Sequence, residues 1–133
     1  KIMAGTKSGA RVDPAVRCSG IDHVVLYVRD VARSVAFYVD ILGMTVKHHS
    51  TGYAFLHCGD QLFGLFAGDG DTDLGQGAEV SHLAFNVPGG RPDAIKQALA
   101  DRGIAATGRG GDPDCIYFSD PDGHRLQIVT SEG

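Results

Sequence analysis

The 133-residue chain has no tryptophan and only three cysteines, Cys18, Cys58 and Cys115, with no C-x-x-C spacing. That distribution argues against a structural zinc knuckle or a dithiol redox pair, and reduced thiols are the expected state, two of them in predicted strands. No apolar run approaches the roughly 20 residues needed to cross a bilayer, and no signal peptide is recognisable. A soluble cytoplasmic protein with no membrane partner is therefore expected. Positive charge is also scarce: 12 Lys and Arg stand against 16 Asp and Glu, a net charge of −4, and the basic residues are scattered. Neutralising a phosphate backbone takes a clustered basic surface, so nucleic acid is not an expected partner. The length suits one domain able to bury roughly two-thirds of its unfolded surface without disulfides.

What the chain has in excess is glycine, 19 residues in all, without a collagen-like or low-complexity pattern. The glycines act as punctuation. Residues 1–19 lack apolar periodicity and read as an N-terminal extension, a candidate contact with the domain or with a second chain. A single domain is expected over residues 20–130, with residues 131–133 as a tail. In its first module, residues 20–68, the β-branched stretch from Ile21 to Val28 predicts a strand. Asp30 suits an N-cap, Val31, Val35, Tyr38 and Leu42 follow at helical spacing, and Gly43 supplies the stop. Strands are predicted at Thr45 to His49, Tyr53 to Cys58 and Gln61 to Phe66. The order is βαβββ.

After a Gly- and Asp-rich loop from Ala67 to Glu79, the order repeats in a second module, residues 80–130. A strand is predicted from Ser81 to Val87, then a helix opened by Pro92 and ended by Gly103. Strands follow at Ile104 to Thr107, Cys115 to Ser119 and Arg125 to Thr130, the last two joined by the turn Asp120-Pro121-Asp122-Gly123. The fold class is thus α+β, two tandem βαβββ modules. The repeat aligns His23 with His82, each in the first strand of its module, and Gly64 with Gln127 in the last strands. Three of these four positions carry side chains able to bind a metal. A lone His on a strand is usually a hydrogen-bonded packing residue, but two at equivalent repeat positions favour a site.

The stretches I21-D-H-V-V-L-Y-V, S34-V-A-F-Y-V-D-I-L-G-M, S81-H-L-A-F-N-V and I116-Y-F-S-D-P-D-G-H-R-L-Q-I-V resemble the vicinal oxygen chelate superfamily, which includes glyoxalases, bleomycin-resistance proteins and extradiol dioxygenases. The likeness runs from Gly20 to Thr130. It implies strands curled into a cupped mixed sheet around a central cavity, with a metal held by residues of the first and last strands. Residue by residue, His23 and His82 match the family's histidines, Gln127 stands where most metal-binding members have glutamate, and Gly64 where four-ligand glyoxalases have another. The resemblance also implies a homodimer, and it makes Tyr117, just before the D-P-D-G turn, a candidate acid or hydrogen-bond donor to substrate, against ordinary strand packing as the plain alternative.

Two imidazoles and a carboxylate make a facial triad suited to Fe(II), Mn(II), Ni(II) or Zn(II), with open positions where substrate oxygens chelate. Gln127 in place of the carboxylate keeps an oxygen at similar reach but removes its charge, so the ion is held more weakly. Tyr27 alternates with His23 and Val25 on one strand face and is a candidate substrate contact. His57, on the third strand, is a second such contact, although Phe55 shares its face and favours packing. His48 and His49 are adjacent, so they face opposite ways, and both are expected to be solvated. His124, after a turn glycine, is expected to be exposed.

The expected function is that of a metal-dependent enzyme, a lyase, isomerase or dioxygenase, acting on a small oxygen-rich molecule. Gly64 and Gln127 disfavour a glyoxalase I. The run from Ile116 to Leu126 is similar to that of fosfomycin-resistance enzymes, but Val25 replaces a hydroxyl residue of theirs, and the sequence reaches Gly133 without their phosphonate-binding arginine. The alternative is a metal-free protein that sequesters a small molecule or antibiotic, as bleomycin-resistance proteins do. The two histidines oppose that reading, and Gln127 favours it.

Overall fold

The computed structural model describes residues 14, 15, 17, 19, 21–68 and 82–130. The expectations for the N-terminal extension, Cys18, most of the Ala67 to Glu79 loop and the 131–133 tail fall wholly or largely outside them. The elements run β1 (His23–Val28), α1 (Val31–Asp40), β2 (Thr45–His49), β3 (Tyr53–Cys58), β4 (Gln61–Ala67), β5 (Leu83–Asn86), α2 (Pro92–Asp101), β6 (Thr107–Arg109), β7 (Asp112–Ser119) and β8 (Arg125–Val129). This is βαβββ twice over. No described helix is long and apolar enough to span a membrane.

Each module forms its own four-stranded sheet, β1-β4-β3-β2 and β5-β8-β7-β6, with the first and last strands of each module parallel and the others antiparallel. The registers correspond. Val25 lies opposite Gly64, and Ala84 lies opposite Gln127, so the alignment of Gly64 with Gln127 is a spatial equivalence as well as a sequence one.

The helices start and stop for local reasons. Asp30 caps α1 by accepting from the Arg33 amide at 3.0 Å, which satisfies one of the unpaired donors of the first turn. Pro92 occupies the first turn of α2, where no amide hydrogen is needed. At the other end Gly103, at φ 75°, turns the chain so that its amide bonds Ala100 and the Ile104 amide bonds Leu99. This Schellman arrangement explains a shifted strand. Ile104 to Thr107 was expected to extend, but the Ile104 amide is committed to the helix end, and pairing begins only at Thr107.

Alternate strand residues converge on one core. Leu26, Val28, Ala54, Leu56, Phe63 and Leu65 of the first sheet meet Ile116, Phe118, Leu126 and Ile128 of the second, with Val31, Val35, Tyr38 and Leu99 from the helices. Burying such side chains fully stabilises by about 1.5–3 kcal/mol each. Phe37 reaches Phe118 and Phe63 reaches Phe85 across the modules, at ring separations of 6.4 and 6.0 Å. The opposite, outer face of each sheet points away from this shared core, since successive strand residues alternate.

Candidate functional site

The outer face of the first sheet carries His23, Val25 and Tyr27 from β1, Phe66 from β4, and Tyr53, Phe55 and His57 from β3. Tyr27 is 54% exposed, and His57 is exposed beside Leu62 and Thr45. The face is aromatic. The Tyr53 and Phe66 rings lie 5.2 Å apart, His48 stacks on Tyr53 at 5.0 Å, and Phe55 meets the His23 ring edge-on at 5.8 Å. His23 Nδ1 lies 2.8 Å from an Asp22 carboxylate oxygen.

Gly64 sits beneath this cluster. A Cβ built there would come within 2.9 Å of both the Phe55 ring and a Val25 methyl, closer than carbon atoms pack. The place where a fourth ligand side chain would start is occupied by hydrocarbon.

On the second sheet, Tyr117 and Gln127 are direct neighbours across the β7–β8 ladder, and His82 lies just before β5, two residues from Ala84 opposite Gln127. Tyr117 is buried. The His82 ring meets it edge-on at 5.7 Å, and the Arg125 guanidinium covers it at 4.3 Å. One chain therefore gathers His82, Tyr117 and Gln127 on one outer face and carries His23, Tyr27 and His57 on another, where His23 and His57 flank Leu62 while Tyr27 lies four residues along β1, beside Phe66.

A second polar cluster, formed by Asp120, Asp122 and His124, has the spacing of metal ligands. The sequence reading missed it, although the D-P-D-G-H run contains it. Its acceptors are filled from within the protein. Asp120 receives the Tyr38 hydroxyl at 2.7 Å, the amides of Asp122 and His124 at 2.9 Å each, and His124 Nδ1 at 2.7 Å. Asp122, 1% exposed, receives the Arg29 amide and guanidinium, Arg33 and the Ser34 hydroxyl. The cluster is a clamp that fastens the β7–β8 turn of module two onto α1 of module one.

Here His124 departs from expectation: its side chain is 16% exposed, because the turn folds inward onto α1 instead of projecting into solvent. The hydrogen bond that His124 donates to Asp120, foremost, raises the His124 pKa above its ordinary value, against the opposing pull of burial. Burial alone would raise Asp120, but the hydrogen bonds from His124 and Tyr38 outweigh it and hold that carboxyl below its ordinary range. Burial, then the neighbouring Asp120 charge, pushes the Tyr38 phenol far up, so it remains a donor. Cys58 is likewise raised by burial and is a poor nucleophile.

A profile of the Glyoxalase/Bleomycin resistance protein/Dioxygenase superfamily matches residues 20–128. The chain is 29% identical over 110 residues to a glutathione transferase, FosA, of Serratia marcescens, covering 81% of this chain and 78% of that protein. It is 30% identical over 121 residues to a metallothiol transferase, FosB, of Bacillus licheniformis, covering 84% and 75%. Among solved structures, a glyoxalase family protein of Bacillus anthracis superposes with a TM-score of 0.70 at 26% identity, over 90% of this chain and all of that one. With two βαβββ modules in matching register and the profile spanning both, the chain belongs to the glyoxalase, bleomycin-resistance and dioxygenase superfamily.

Proposed function

We propose that the protein is a metal-dependent enzyme that binds a small oxygen-rich molecule through two neighbouring oxygens, with His23, His82 and Gln127 as the protein ligands. The observation that carries this reading is the matched register: His23 and His82 stand two residues before Val25 and Ala84, which lie opposite Gly64 and Gln127. The donor set, two imidazole nitrogens and one carboxamide oxygen, fits Fe(II), Mn(II), Ni(II) or Zn(II) and leaves positions open for substrate. Such an ion, when bound, polarises the chelated oxygens as a Lewis acid.

The chain's own residues do the rest. Tyr117, held between His82 and Arg125, presents a hydroxyl beside Gln127 as donor to a substrate oxygen. Tyr27 and His57 wall the other side. Because the two groups lie on outer faces of one chain, the site is completed by a second copy, with the first sheet of one protomer facing the second sheet of its partner.

The first test is metal content. Protein purified without chelator is expected to carry a divalent ion or to take one up with micromolar affinity, His23→Ala and His82→Ala to lose it, and Gln127→Glu to hold it more tightly by restoring a negative ligand. If wild-type protein neither carries nor binds such an ion, the enzyme reading fails, and the aromatic outer face of Tyr27, Tyr53, Phe55 and Phe66 favours instead metal-free sequestration of a small molecule. If Gln127→Glu changes nothing, residue 127 is not a ligand.

A further inference from the structure

His23 is the first residue of β1, and Asp22 lies just outside the ladder, where its side chain is free of strand alternation and turns to the imidazole. The contact is short, 2.8 Å from Nδ1 to the carboxylate. The backbone on either side is pinned to β4: the Ile21 carbonyl accepts from Gln61 Nε2 at 3.1 Å and the Asp22 carbonyl from the Leu62 amide at 3.3 Å. Phe55 lies edge-on against the ring, 5.8 Å between centroids.

We propose that Asp22 is the positioning residue of the site, holding His23 as the Nδ1–H tautomer so that the Nε2 lone pair faces the outer surface. A carboxylate only accepts, so a neutral imidazole bonded to it through Nδ1 must carry its proton there. A neutral histidine free in water prefers the opposite tautomer, with the proton on Nε2, where it would block a ligand. Carboxylate partners of this kind orient metal-binding histidines and raise their basicity. Asp22 and His23 side chains are 87% and 46% exposed, so the pair contributes little to folding stability. Its effect is on orientation and on which nitrogen is open.

This rests on the reading of His23 as a ligand, and the experiment separates the two. Nitrogen NMR of the imidazole rings in metal-free protein, at a pH where they are neutral, is expected to show His23 as Nδ1–H in wild type and in Asp22→Asn, whose amide oxygen still accepts, and as Nε2–H in Asp22→Ala. Zinc affinity, measured by competition with a chromogenic chelator, is expected to fall about 10- to 100-fold in Asp22→Ala and by less in Asp22→Asn, with the thermal midpoint of the metal-free protein unchanged. An unchanged tautomer or an unchanged zinc affinity in Asp22→Ala would show that Asp22 has no positioning role. If His23→Ala binds zinc as well as wild type does, the ligand reading itself falls; if His23→Ala loses zinc while Asp22→Ala keeps it, only the role of Asp22 is lost.

Discussion

Gly64 shows how one missing side chain shapes the site. Its neighbours have closed over it, with the Phe55 ring and a Val25 methyl 2.9 Å from where a Cβ would stand. Introducing a glutamate at position 64 therefore meets a filled space. Gly64→Ala is expected to cost about 1–3 kcal/mol by overpacking, read by urea denaturation, and pairing it with Phe55→Ala should recover part of that loss. A double-mutant cycle with no coupling would mean that Phe55 is not what closes the position. Asp122 is the opposite case, a buried carboxylate on which two half-exposed arginines and a serine converge. Asp122→Ala is expected to destabilise by on the order of 2 kcal/mol, less than for a fully buried pair because water already screens Arg29 and Arg33. Loss of either arginine alone should cost less. Denaturation midpoints that leave Asp122→Ala within error of wild type would rule out the clamp. The repeat pairing of His23 with His82 could be read from residue types alone, whereas the partners of Asp122 could not, since Arg29 and Ser34 lie about ninety positions away along the chain.

Elements were legible where local chemistry decides them. The Asp30 cap, the Gly43 stop, Pro92 in the first turn, and β2 and β3 at their full lengths all rest on turn, cap and alternation rules that act over a few residues. Two departures have different causes, the first local and the second tertiary. β6 starts three residues late because the α2 cap uses the Ile104 amide, and the β7–β8 turn is buried because α1 offers it donors. The second exception makes stability depend on pH in a defined window. Asp120, lowered from an ordinary 3.8, contributes fully above that value and loses its contribution as pH falls through its depressed folded value. His124, raised from 6.5, contributes fully below that value and loses its contribution as pH rises through its elevated one. The pair's contribution is therefore greatest between 3.8 and 6.5. Unfolding free energies of wild type and His124→Gln, taken across pH by urea titration, should differ most in that window and converge outside it. A gap that stays constant with pH would mean that the His124 charge is not engaged.

For the whole molecule, the packing of the modules decides where a site can form. Both sheets turn their buried residues to one core, and the clamp from Asp122 to Arg29, Arg33 and Ser34 fixes module two on module one. His23 is left on one outer face and His82 with Gln127 on the other. A twofold dimer in which each site takes its first half from one protomer and its second half from the partner satisfies this arrangement, and it has a signature that no single-chain site shares. His23→Ala and His82→Ala homodimers should each be metal-free. Unfolded together and refolded as an equal mixture, half the dimers contain one chain of each kind, and each of these holds one site with both mutations and one with neither. Divalent-metal binding should then return to about a quarter of the wild-type stoichiometry, measured by titration after removal of free metal. No recovery on mixing, with both variants folded and exchanging chains, would place the two histidines in one chain's site and exclude the shared arrangement.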